Sequence, residues 1–171
     1  HVKYKFKPKP VAAPVVEMLE NLFEMGIHSL VNVISVSEVI PPARIGELLG
    51  IKENQTVMKV VRVRSNEQDN AFAHYVSWTV GINNGFTKEK LETTPRLQII
   101  KDNNINLTKI KQTLGANNAS FDIAQQLNMK EGDALLSITR HSLNENNAIV
   151  DVIDCLYNPE LFNYSMVLSL D

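Results

Sequence analysis

An α+β fold built on a six-stranded, mainly antiparallel sheet is predicted by three observations. First, a unit of short helix, tight turn and β-hairpin occurs twice, at Ala43–Trp78 (ARIGELLGIKENQTVMKVVRVRSNEQDNAFAHYVSW) and at Phe121–Asp154 (FDIAQQLNMKEGDALLSITRHSLNENNAIVDVID). Second, each hairpin alternates apolar and polar residues with period two across a short polar turn, which joins antiparallel neighbours. Third, strands and helices do not alternate as βαβα, so a doubly wound parallel sheet is not expected.

The two copies align on particular residues. Leu49-x-Ile51-Lys52-Glu53 matches Leu127-x-Met129-Lys130-Glu131, and Arg62 matches Arg140 at an offset of 140−62 = 78. Matching Asn70-Ala71 with Asn147-Ala148 removes one residue from the second turn. The offset then becomes 151−74 = 77, which sets His74 against Asp151.

Taken in order, residues 1–10 contain VKYKFKPKP, which alternates Lys with apolar residues and ends in prolines. It reads as an extended interdomain linker or edge strand, ahead of a domain spanning 11–171. Pro14 to Met25 has helical period, with Val15, Met18, Leu19, Leu22 and Phe23 on one face and Gly26 as its C-terminal stop. Leu30 to Val36 alternates as a strand. Pro41-Pro42 opens a short helix that Gly50 closes. Thr56 to Arg64 is a strand with Met58, Val60, Arg62 and Arg64 on one side. Ala71 to Val80 returns with Phe72, His74, Val76 and Trp78 on one side.

Thr87 to Leu91 reads as a helical turn. Thr93 or Thr94 before Pro95 is an N-cap signal for a helix from Arg96 to Lys101. Leu107 to Leu114 fits either a helix or a strand. Ser120 caps the second short helix, Leu135 to His141 and Ala148 to Tyr157 form the second hairpin, and Asn163 to Leu170 reads as a last strand.

At 171 residues the chain is long enough for one domain with a full core. Hydrophobic residues make up 44%, charged residues 21%, and the net charge is −2. There is no broad basic field, so this segment is a poor candidate for holding nucleic acid by itself. A single cysteine, Cys155, excludes an internal disulfide and fits a cytoplasmic protein. No long apolar run calls for a membrane. The chain starts at His1 rather than Met, which fits a fragment whose parent carries another domain before it.

The usual chemical signatures are missing. GxGxxG, GxxxxGK[ST], GxSxG and HExxH do not occur, and His1, His28, His74 and His141 lack metal-ligand spacing. No cofactor or metal is called for. What remains is charge inside strands. Arg62 and Arg64 on one face could grip a carboxylate or phosphate by bidentate hydrogen bonds, with Arg140 repeating Arg62; equally, they could sit on a solvated face or in internal salt bridges. His74 and Asp151 could bind ligand hydroxyls or pair with arginines on the neighbouring strand. Trp78 could stack on a ligand or serve the core. Thr93, Thr94 and the helix start beside them could meet an anion or form a plain cap.

The doubled pattern, together with the helix at Pro14–Met25 and its Gly26, resembles the UTRA domain, the effector-binding domain of HutC-type GntR-family bacterial transcription regulators. That domain is similar in fold to chorismate lyase. The resemblance covers about Val11 to Leu170. It implies a six-stranded antiparallel sheet, a pocket on the sheet for a small anionic metabolite, and a homodimer. It also implies a separate N-terminal winged helix-turn-helix that contacts operator DNA. Residue by residue, Arg62 and Arg64 match the family's R-x-R, Arg140 the second-half arginine, and Asp151 the second-half acid. His74 stands where the family usually has Glu. VEMLENLFEMG lacks the hydroxyl signature of sugar-phosphate-binding members, which leaves room for a more apolar or differently charged ligand. Two further readings stand beside the sensor: an enzyme resembling chorismate lyase, in which Asp151 would assist elimination, and a dimerisation module without a ligand.

Overall fold

The computed structural model describes residues 29–165, 167, 169 and 170. The linker and first helix read from the sequence lie outside them. Six strands make one sheet: β1 (Ser29–Val39), β2 (Val57–Asn66), β3 (Ala71–Thr79), β4 (Leu107–Asn118), β5 (Ala134–Asn144) and β6 (Ile149–Tyr157). Their order is β1-β2-β3-β6-β5-β4, with every neighbouring pair antiparallel. Four short helices accompany them: α1 (Ala43–Leu49), α2 (Lys88–Thr93), α3 (Arg96–Asp102) and α4 (Phe121–Gln126).

Each half contributes a three-stranded meander, and the halves meet along β3 and β6. The repeat runs at one constant offset. Arg62 and Arg140 differ by 140−62 = 78, and the helix ends Gly50 and Asn128, both left-handed at φ 63° and 52°, differ by 128−50 = 78. The hairpin turns have equal length. In each, an asparagine side chain accepts from the backbone N–H groups two and four residues on: Asn66 from Gln68 and Asn70, Asn144 from Asn146 and Ala148. The left-handed residues Asp69 and Asn147 again differ by 78.

No residue is therefore lost in the second turn, and the expected match of His74 with Asp151 is corrected. His74 corresponds to Val152 and Asp151 to Ala73. A one-residue slip reverses the face of every side chain in a strand, and here it separated residues by a full sheet thickness.

Two other expectations change. Leu107–Asn118, ambiguous by periodicity, is edge strand β4, paired with β5 along its length. It supplies the sixth strand in place of Asn163–Leu170, whose described residues have no regular structure. Phe72 sits at a β-bulge, where pairing steps from Arg64↔Ala73 to Ser65↔Ala71, and its ring joins Tyr75 and Tyr157 rather than Trp78.

The sheet has two unlike faces. On one, α1 and α4 cover apolar rows: Ile45 and Leu49 pack on Val57, Trp78 and Val152, while Ala124 and Leu127 pack on Leu135. Ser120 caps α4 by accepting from the Ile123 N–H. On the other face, Phe86, Leu91, Ile99 and Ile100 from α2, α3 and the loop before them pack on Val33 and Val60. At its far end, Phe162 stacks on Tyr157 with ring centres 4.1 Å apart. Between these two covers lies a polar strip.

Candidate effector site

Pairing across the sheet puts the strip in register. One row runs Arg62, Tyr75, Cys155, Ile138; the next, Arg64, Ala73, Tyr157, Leu136. On the other side come Val60, Ser77, Ile153, Arg140, and then Met58, Thr79, Asp151, Ser142. Arg62, Arg64, Arg140 and Asp151 thus share one face, as strand alternation requires.

Arg62 is buried, with 7% of its surface exposed. It makes no hydrogen bond among the described residues, and its Nε is buried without a partner. Its guanidinium lies over the Tyr75 ring at 4.9 Å from the centroid. Such a contact contributes about 0.5–2 kcal/mol, less than the several kcal/mol of desolvation for a buried charge. Burial first, and the nearby Arg96 second, pull its pKa down to about 10. It stays charged at neutral pH, with no acid facing it among the described residues.

Arg64 lies near the same ring, at 5.8 Å, and its Nη1 donates to the Ser29 hydroxyl at 2.7 Å; its Nε has no partner. Arg140 donates from Nε to the Gln112 side-chain oxygen at 3.0 Å, and Gln112 donates on to the Tyr164 hydroxyl. The hydroxyls of Ser77 and Ser142 are buried and unpartnered. The Tyr75 hydroxyl lies beside that of Tyr157 and closes no well-formed bond with it; burial raises the pKa of both phenols. Unmet donors are rare in a packed interior; among the described residues five of the six lie on this sheet face, and the sixth, Trp78 Nε1, lies on the other.

Asp151 sits in the same strip but is already occupied. Fully buried, it accepts from Arg96 Nη1 and Nη2 at 2.7 and 2.6 Å and from the Thr79 hydroxyl at 2.6 Å. Burial works against the Arg96 charge, but the Asp151 carboxylate outweighs it and raises the pKa above the ordinary value. The pair pins α3 to the sheet.

The remaining expected site residues lie elsewhere. His74 and Trp78 point to the opposite, helix-covered face. His74 is buried in the row with Val63 and Leu156, and burial lowers its pKa. Trp78 packs among Ile45, Leu49 and Val152, a core position. Thr93 bonds back to the Glu89 and Lys90 carbonyls of its own helix, and Thr94 ends that helix. Pro95, not a threonine, occupies the N-cap of α3, with no side-chain cap. The proline ring fixes the entry into the helix, so neither hydroxyl meets an orphan N–H there.

Sequence reading overlooked four participants: Tyr75, Ser77, Arg96 and Ser142. Ser142 was within reach, being Arg64 displaced by 142−64 = 78, and Tyr75 and Ser77 follow from alternation once the face is known. Arg96 gave no signal, because its partner is 55 residues away.

A cavity of about 470 Å³ opens on the helix-covered side, lined by Leu30, Ile34, Val63, Ala71 and Gln126 among others. None of its lining residues is cationic, although one of them, Val31, pairs with Arg64 across the strands. Among the described residues there is no cluster of three or more potential metal ligands, and no helix long and apolar enough to cross a membrane.

The sheet order and its paired halves define the class first: a duplicated α+β domain on a six-stranded antiparallel sheet. Residues 24–163 match the model of the UTRA domain, and the chain belongs to that family. Among solved structures it is similar to the ligand-binding domain of a candidate GntR-family transcriptional regulator from Bordetella bronchiseptica, with TM-score 0.73 and 21% identity over 82% of this chain and 91% of that one. A GntR-family transcriptional regulator from Enterococcus faecalis matches at TM-score 0.72 and 19% identity, over 81% and 99%. PhnF from Mycobacterium smegmatis matches at 0.71 and 14%, over 84% of this chain and 64% of that one. At these identities the likeness is one of fold. No curated protein matches the sequence.

Proposed function

We propose that this chain is the effector-binding and dimerisation domain of a DNA-binding transcriptional repressor, and that it holds a small anionic metabolite on the arginine strip. Residues 1–10 would link it to an N-terminal winged helix-turn-helix, through which operator DNA is bound in the cytoplasm. The observation that carries the reading is Arg62, a buried guanidinium facing no acid among the described residues, on the same sheet face as unpartnered donors of Arg64, Ser77 and Ser142. A bound anion would accept charge-assisted bonds from the guanidiniums within its reach. Binding would act on DNA only through a difference in affinity between two dimer states.

The enzymatic alternative needs Asp151 available for proton transfer. Its bidentate bond to Arg96 counts against that. Thermal-shift measurements with carboxylates, sugar phosphates and phosphonates test the sensor. A ligand at 100 times its Kd stabilises by about 2.7 kcal/mol, and that gain should vanish in Arg62→Ala. An equal gain in wild type and variant would remove Arg62 from the site; pyruvate release from chorismate would restore the enzyme.

A further inference from the structure

Building on that reading, we propose that the effector is a compact polyanion carrying no ammonium or other cationic group, because the one carboxylate that the described residues bury on the arginine face is already engaged by Arg96.

The charge inventory of the face leads there. Among the described residues, four guanidiniums, from Arg62, Arg64, Arg96 and Arg140, share it with one buried acid, Asp151, which leaves 4−1 = 3 positive charges that no described buried acid compensates. The other acids nearby do not count toward it. Glu38, at the exposed end of β1, accepts from the Thr56 hydroxyl. Asp154 lies on the opposite face, bonded to Arg44 at 2.7 Å. Among the described residues, the three arginines other than Arg96 touch neutral groups: the Tyr75 ring, the Ser29 hydroxyl and the Gln112 amide oxygen.

A carboxylate offers about four acceptor positions. Three of those on Asp151 are filled, by both Arg96 Nη groups and by Thr79. A ligand ammonium entering the strip would meet excess positive charge and find no carboxylate to accept from it. Anionic oxygens along the strip would instead meet unpartnered donors, the Nε groups of Arg62 and Arg64 on β2 and the hydroxyls of Ser77 on β3 and Ser142 on β5. A monoanion leaves two of the three charges unmatched and a dianion one, so affinity should rise with ligand charge.

Matched ligand pairs test this by calorimetric titration of the 171-residue chain: glycerol 3-phosphate against phosphoethanolamine, and succinate against aspartate, with inorganic phosphate and pyrophosphate as plain anions. The amino-free member of each pair should bind at least about tenfold more tightly, and pyrophosphate more tightly than phosphate. Arg96→Gln releases the Asp151 carboxylate and should shrink the discrimination toward one. Asp151→Asn releases Arg96 and should widen it. If Arg96→Gln does not fold, the wild-type ratios and Asp151→Asn still decide. An amino member that binds as well as its partner overturns the exclusion while leaving an anion sensor. If no member of the panel binds, the anion reading fails and this inference with it.

Discussion

Two arginines on one face of the sheet, Arg62 and Arg96, are both buried, yet they stand in opposite positions. Arg96 is matched: each of its Nη groups donates to Asp151, and Thr79 completes the set. Arg62 is unmatched, resting on an aromatic ring with a buried Nε that bonds to nothing. A buried ion pair is destabilising chiefly when one partner is removed. An unpaired buried charge is already in that condition. The comparison separates a guanidinium matched by a carboxylate from one that no described acid matches.

The largest effect should come from breaking the matched arginine. Arg96→Met leaves Asp151 charged and buried without its counterion, and should lower unfolding free energy by about 3–5 kcal/mol, read by urea denaturation. Asp151→Leu should cost a similar amount, and the double variant much less than the sum. Additive costs would mean that the two groups do not depend on each other.

Arg62→Met should do the reverse. Removing an uncompensated buried charge should stabilise the unliganded chain by about 1–3 kcal/mol while abolishing ligand-induced stabilisation. A loss of stability comparable to that of Arg96→Met would show Arg62 to be structural. Smaller again, Ser77→Ala and Ser142→Ala remove hydroxyls that have no partner. Unliganded stability should change by less than about 1 kcal/mol, whereas ligand affinity should fall by about that amount each. Unchanged affinity in both variants would put the ligand elsewhere on the face.

The contrast between the two arginines was only half legible in sequence. The halves, the hairpins and the R-x-R on one strand face follow from local periodicity, because alternation fixes which residues share a side. Arg62 and Arg64 were therefore placed on a common face, with Arg140 as the repeat of Arg62. The pairing of Asp151 with Arg96 was not legible, since it joins a strand to a short helix whose docking depends on Phe86, Leu91 and Ile99 packing on β1 and β2. The slip at the second turn had a different origin. Asn-Ala recurs at 70–71 and 147–148, but the asparagine that organises each turn is Asn66 or Asn144. Aligning the wrong asparagine placed His74 opposite Asp151 and so on the wrong face.

That correction yields the finest test of the difference between faces. His74 corresponds to Val152, and both lie under the helices rather than in the arginine strip. Burial lowers the His74 pKa from 6.5, and burial followed by Lys111 lowers that of His141. The unfolded chain thus binds more protons than the folded one as pH falls below 6.5, so stability is lost in that direction and is level above it. His74→Val should flatten this loss between about pH 7 and pH 5, with the remaining slope reduced further by His141→Val. An unchanged slope in His74→Val would mean that the imidazole takes up its proton in the folded state. Ligand affinity should be indifferent to His74→Val over the same range, because the guanidiniums opposite stay charged, Arg62 included. A shift in affinity with that substitution would couple the two faces and make the helix-covered side part of the response.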